Sequence, residues 1–285
     1  MLRRSTIQLL RFHFSVFLLP VYLFALSQLA EINWKYAFLV FVILHLLVYP
    51  ASNGYNSYMD KDETPIGGLE KPMQPTKQLF YITIVMDGLA IILSLQVSTL
   101  FTLCILLYIL ASRAYSYRRI RLKKYPFTGF LTVFIFQGAV IFFSVYHGVQ
   151  NEVGINTPIF PCIISSLLIG ALYPLTQIYQ HEEDKKDGVT SISYVLGKKG
   201  TFLFSMLLFL AATFFLYLRF KKLDELNHFY WYLLIMLPVV LFFLYWMLKV
   251  WRNEAAANFR NCMWMNILST VCTSIFFTVL ILVKY

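Results

Sequence analysis

Charged residues are scarce in this chain: 13 % of 285, against roughly a quarter in an average soluble domain. Only 14 residues are acidic, and the 24 Lys and Arg leave a formal charge of +10. No stretch is polar enough to make a soluble basic domain, which excludes nucleic acid as a partner. Cysteine is rare as well. Cys104, Cys162, Cys262 and Cys272 show no CxxC spacing, and each falls within or at the end of an apolar run. They read as small buried apolar residues, which excludes a disulfide framework and a thiolate metal cluster.

What the chain has is hydrocarbon. Apolar residues make up 59 % of it, and the mean hydropathy is +0.66. They gather in nine runs near 12–30, 34–52, 79–97, 98–117, 127–147, 158–179, 200–219, 230–250 and 262–283. Each is about the 20 residues needed to cross a bilayer core. The first run is long and Gln28-Leu29-Ala30-Glu31 is a poor cleavage site, so it is expected to stay as a span. The fold class expected is an all-α membrane protein, a single domain over 1–285 with nine transmembrane helices in a bundle. Placing the N-terminus and the loops after spans two, four, six and eight on one side puts 19 of the 24 Lys and Arg there. By the positive-inside rule that side is cytoplasmic. The expected location is a bacterial inner (cell) membrane, with the basic loops facing the cytoplasm and anionic headgroups.

The few acids are arranged in a repeat. Tyr49 to Glu63 reads YPASNGYNSYMDKDE, and Tyr173 to Asp187 reads YPLTQIYQHEEDKKD. At a constant offset of 124 residues, Tyr49, Pro50, Tyr55, Asp60 and Lys61 match Tyr173, Pro174, Tyr179, Asp184 and Lys185. Asn53, Asn56 and Glu63 pair conservatively with Gln177, Gln180 and Asp187, and no gap is needed. The match implies two related four-helix halves, about 12–117 and 127–250, with the last helix, about 262–283, as an addition.

Positions 53, 56, 60 and 63 are i, i+3, i+7 and i+10, one face of a helix, and 177, 180, 184 and 187 repeat it. Each helix would present two amides and then two carboxylates at its cytoplasmic end. Pro50 and Pro174 would loosen the helix just before the stripe. Two facing stripes offer Asp60, Glu63, Asp184 and Asp187, with Asn56, as hard oxygen ligands for Mg²⁺, which fills the rest of its octahedron with water and phosphate. Asp62, Glu182 and Glu183 lie off the stripe and read as solvated or supporting acids.

The loop after span four, RAYSYRRIRLKKYP from Arg113 to Pro126, is the densest cationic stretch and contains no acid. Headgroup attraction accounts for part of it. Arg113, Arg118, Arg121, Lys123 and Lys124, with Lys71 in the loop after span two, are also suited to clamp the oxygens of a metal-bound diphosphate. Asn53 and Gln180 join them as amide contacts. Asp87 inside span three and the polar His13, His45 and Gln137 are weaker candidates, for which interhelical hydrogen bonds are the commoner role.

These segments resemble the UbiA superfamily of intramembrane prenyltransferases. Asn53 to Asp60, NGYNSYMD, is similar to that family's first motif in its NxxNDxxD form, with Ser57 where an Asp is usual. QHEEDKKDGVTSISYVLG from Gln180 is similar to the second, DxxxDxxxGxxTxxxxLG, with Gln180 at its first Asp. YSYRRIRLKK from Tyr115 resembles the segment after helix four. The resemblance implies a nine-helix bundle, Mg²⁺ as cofactor, and a prenyl diphosphate and an aromatic or lipid acceptor as substrates. It also implies catalytic roles for Asp60, Asp184 and Asp187. Two rival readings stay open: a polytopic carrier whose acidic stripes bind cations, and a family member without catalytic activity.

Overall fold

The computed structural model describes residues 1–150 and 158–284. Among them are nine helices long and apolar enough to cross a membrane. In chain order these are α1 (Arg4–Ser27), α2 (Trp34–Asp60), α3 (Lys77–Ser94), α4 (Thr99–Ser116), α5 (Pro126–Val149), α6 (Ile159–Gln177), α7 (Ile192–Lys222), α8 (Leu226–Arg252) and α9 (Phe259–Lys284). The described residues form no strand, only an isolated bridge between Ile66 and Leu69. The protein is an all-helical, multi-pass integral membrane protein.

Several boundaries run past the apolar runs. α1 starts at Arg4 rather than near residue 12 because Leu9 and Leu10 bury against Ala51, Leu79 and Met86, tying its first turns to α2 and α3. Arg11 then breaks the helix with a left-handed backbone, φ 49°. α7 begins at Ile192 rather than near 200 because a capping turn precedes it. The Ser191 hydroxyl accepts from the Tyr194 amide at 3.3 Å, and Gly197, at φ 65° and ψ 171°, bends the chain before the span proper.

Two π-helical segments loosen the bundle where the cavity lies. One, Val42–Val48, precedes Pro50, whose ring cannot sit on a regular preceding turn. The other, Phe134–Val140, lies in α5. There Gly138 lets α5 touch α6, since a Cβ would stand 2.4 Å from the Ser166 Cα. The Ser166 hydroxyl accepts from the Ala139 amide at 3.0 Å, and the Ser165 hydroxyl donates to the Gly138 carbonyl at 3.2 Å. Backbone groups released by the wide turn are thereby satisfied without water.

Candidate active site at one end of the bundle

α2 carries Asn53, Asn56 and Asp60 on one face of an unbroken helix that ends at Asp60. The Asn56 amide donates to Asp60 at 2.8 Å and to the Ser116 hydroxyl of α4 at 3.0 Å. Asp60 is nearly buried, with 3 % of its side chain exposed. Its Oδ2 is paired with Lys123, and Arg121 stands 3.5 Å from Oδ1. That second oxygen is buried and accepts no hydrogen bond.

The expected four-residue stripe stops there. Lys61 takes a left-handed backbone, φ 56°, and ends the helix, so residue 63 loses the helical phase of residue 60. Glu63 is exposed and outside the cavity, whereas Asp62, read as a supporting acid, lines it.

The second stripe is broken as well. α6 ends at Gln177, three residues past Pro174, and a short helix, His181–Lys186, comes next with Gln180 at its start. Gln177 donates to the Tyr173 hydroxyl at 2.8 Å, and Tyr173 shares a 2.5 Å hydrogen bond with Tyr115 of α4. Gln180 donates to the Pro65 carbonyl at 3.2 Å, so the two acidic loops touch directly. Asp184 and Glu183 line the cavity. Asp187 ends the short helix at the rim, where its carboxylate pairs with Arg121 and lies 3.7 Å from Arg118. Arg121 also donates to the Asp187 carbonyl at 3.0 Å. Its guanidinium therefore spans the two motifs, Asp60 on one side and Asp187 on the other.

The cavity between these elements has a volume of about 260 Å³. Asn53, Asn56, Asp60, Lys123, Gln180 and Asp184 line it, as the sequence reading expected. Four candidates lie elsewhere. Arg113 points back into the bundle, where it pairs with Asp87, lies 3.3 Å from the Thr83 hydroxyl, and covers the Tyr55 ring at 3.9 Å. An arginine within a span needs such partners, and this gives Asp87 its partner too. Lys71, Lys124 and Glu63 are exposed to solvent and outside the cavity lining. Arg118 is a rim residue that donates to the Met59 carbonyl at 2.8 Å.

Of the other polar residues, Gln137 lines the cavity, while His45 is buried among Tyr22, Phe41 and Tyr49. His13 meets the Gly68 carbonyl at 2.9 Å. Sequence reasoning missed Arg11. It lines the cavity and donates to the Gly67 carbonyl at 3.0 Å and the Asn53 carbonyl at 3.1 Å, tying α1 to the first motif. The available signal was an arginine at the very edge of an apolar run.

Electrostatically the cavity is an acid trap. Burial and then the neighbouring Asp60 push the Asp62 carboxyl up to about 6. Burial does the same for Asp184, reinforced by Asp60 and Asp62 and opposed by Lys123, leaving it at about 6. Carboxylates that repel one another in a half-dry space are stabilised by a cation between them. Among the described residues, no three His, Cys, Asp or Glu side chains converge as a complete metal cage. For Mg²⁺ none is required, because one or two carboxylates with substrate phosphates and water suffice. The Asp60 Oδ1, which accepts no hydrogen bond, and the raised Asp62 and Asp184 fit such an ion.

Beyond the polar cavity lies an apolar chamber of about 400 Å³ between α1, α6, α7, α8 and α9. Phe17, Ile169 and Leu172 line both spaces, so the two adjoin.

The fold is thus a helical membrane bundle in which two acidic loops meet beside one polar cavity. The sequence profile of the UbiA prenyltransferase family matches residues 15–269, and the chain belongs to that family. Among curated proteins none matches it by sequence. Solved structures agree on the fold. A UbiA homologue from Archaeoglobus fulgidus, bound to GPP and Mg²⁺, is 16 % identical with a TM-score of 0.70, covering 97 % of this chain and 99 % of its own. The apo UbiA homologue from Aeropyrum pernix K1 is 16 % identical, with a TM-score of 0.70 and coverage of 96 % and 98 %. A digeranylgeranylglyceryl phosphate synthase is 19 % identical, with a TM-score of 0.61 and coverage of 99 % and 98 %.

Proposed function

We propose that this protein is a Mg²⁺-dependent prenyltransferase that moves a prenyl group from its diphosphate to an acceptor held inside the bundle. The observation that carries the reading is the convergence of Asp60, Asp62 and Asp184 with Lys123 and Arg11 on one cavity. The family's name and the GPP and Mg²⁺ bound by the Archaeoglobus fulgidus homologue support it. So does the internal match of the two acidic segments, which argues for two related halves meeting at one site. The basic loops argue for a site on the cytoplasmic side.

Asp60 and Asp184, assisted by Asp62 and Asn56, would hold Mg²⁺, with Asp187 keeping Arg121 in place at the rim. The ion supplies positive charge against the leaving diphosphate. Lys123 and Arg11 add two fixed cations beside it, and Asn53 and Gln180 add amide contacts. The allylic C–O bond breaks with its electron pair going to the diphosphate. The freed carbon then bonds to the acceptor, whose proton leaves for the diphosphate or water. The rings of Tyr115, Tyr173 and Phe136 line the space and shelter the allylic cation from water. The prenyl tail extends into the adjoining apolar chamber, which no charged residue lines.

The test is transfer of label from radioactive geranyl diphosphate to an extractable lipid, with and without Mg²⁺. Label transfer that requires Mg²⁺ and drops about 100-fold or more in Asp60→Asn and in Asp184→Asn supports the proposal. Unchanged transfer in both variants rules out this site. Ion-coupled uptake into vesicles, with no transfer at all, would mark a carrier instead.

A further inference from the structure

The polar cavity is lined by four acids, Asp60, Asp62, Glu183 and Asp184, against two cations, Arg11 and Lys123. Arg11 turns its guanidinium to the backbone, donating to the Gly67 and Asn53 carbonyls. Lys123 instead reaches the carboxylates themselves. Its ammonium is paired with Asp60 Oδ2, the oxygen that also accepts from Asn56 at 2.8 Å. It lies near enough to Asp62 and Asp184 to pull both carboxyls down against the burial that raises them. One ammonium thus serves three acids, the position a divalent ion would take.

The backbone under Lys123 is held in place. It belongs to the turn Leu122–Lys124, which Gly129 of α5 approaches so closely that a Cβ there would stand 3.1 Å from the Lys123 Cα. The neighbouring Lys124 carbonyl accepts from the Thr190 amide at 3.2 Å. Only the side chain is free to turn, a flexible stem with hydrogen-bond donors at its tip. An ammonium and a divalent ion sharing one carboxylate, about 4 Å apart in a half-dry cavity, would repel each other strongly. Lys123 therefore has to give up Asp60 when the ion enters. It leaves at low cost only if other anionic oxygens stand within its reach, and a diphosphate supplies them.

On the reading under Proposed function, we infer that Lys123 is a built-in counter-ion of the acid cluster, displaced by Mg²⁺ only in company with a diphosphate. The ammonium then turns from Asp60 onto the diphosphate oxygens. Held by Lys123, the acids take Mg²⁺ alone poorly. Metal and diphosphate enter as a pair, and by linkage each tightens the other.

Calorimetry on the protein in nanodiscs, stripped of metal with EDTA, gives two affinities, one for Mg²⁺ alone and one for geranyl diphosphate in saturating Mg²⁺. The titrations are run at about pH 8, where Asp62 and Asp184, raised to about 6, are ionised. Lys123→Met keeps the stem and removes the charge. Mg²⁺ alone should then bind about tenfold more tightly, while geranyl diphosphate weakens about tenfold. Lys123→Gln retains a hydrogen-bond donor for Asp60, which guards the fold, and should shift the two affinities in the same opposite directions. A side chain that only supports the fold would weaken both, and one that only contacts the diphosphate would leave Mg²⁺ binding unchanged. Either result overturns the inference. So does a structure with Mg²⁺ and geranyl diphosphate bound in which Lys123 still pairs with Asp60. Unchanged Mg²⁺ affinity in both variants, beside intact Mg²⁺-dependent binding of geranyl diphosphate by the wild type, removes the counter-ion role alone. If the wild type binds no geranyl diphosphate with Mg²⁺, the reading under Proposed function falls with it.

Discussion

At the scale of single residues, Asp60 shows how burial and neighbours divide the acids. Its side chain is only 3 % exposed and already paired with Lys123 and Arg121, whereas Asp62 and Asp184 lie near it with raised carboxyls. A carboxyl raised from 3.8 to about 6 binds more protons folded than unfolded between those values. The metal-free protein should therefore gain stability as pH falls from 7 toward 5, and saturating Mg²⁺ should flatten that dependence. Thermal unfolding in detergent at several pH values checks it. Each carboxylate that must ionise also weakens Mg²⁺ about tenfold per pH unit below about 6, so apparent Mg²⁺ affinity should fall steeply there. Asp60 and Asp184 were legible in the sequence because two copies of one pattern marked them. Arg11 was not, because nothing in the sequence shows that a left-handed residue in α1 folds its side chain toward a loop some 56 residues away.

At the scale of elements, the helical stripe was half right for an identifiable reason. Asn53, Asn56 and Asp60 keep their phase because α2 is continuous through them, but Lys61 caps it, and the second motif divides between α6 and a short helix. Helix periodicity predicts a face only while the helix lasts, and turn chemistry at its end sets the direction of the next residues. The proline loosening was legible, but its form as a π-helical turn was not. Gly197 sits at φ 65° and ψ 171°, a backbone only glycine takes without strain. Gly197→Ala should cost about 1–3 kcal/mol, read as a lowered unfolding temperature. Gly138→Leu should be worse, because the side chain meets the α6 backbone at Ser166 rather than a movable group.

At the scale of the whole molecule, composition alone gave the nine spans, since hydrocarbon runs of bilayer length leave few other folds. The placement of the cavity required the tertiary fold. It depends on α4 and α9 bringing Tyr108, Tyr115 and Asn266 alongside α2 and α6, and no local pattern encodes that meeting. Orientation is a further whole-chain property. Arg119→Cys should react with an impermeant maleimide only from the cytoplasmic face, and Lys222→Cys only from the opposite face. The central claim is that the acid-lined cavity binds a prenyl diphosphate through Mg²⁺. It is tested most directly by titrating geranyl diphosphate into the purified protein, in Mg²⁺ and in EDTA, for the wild type and for Asp60→Asn. The account predicts binding that requires Mg²⁺ and is weakened about 100-fold or more in the variant. Binding of equal strength in EDTA, or in Asp60→Asn, would contradict it.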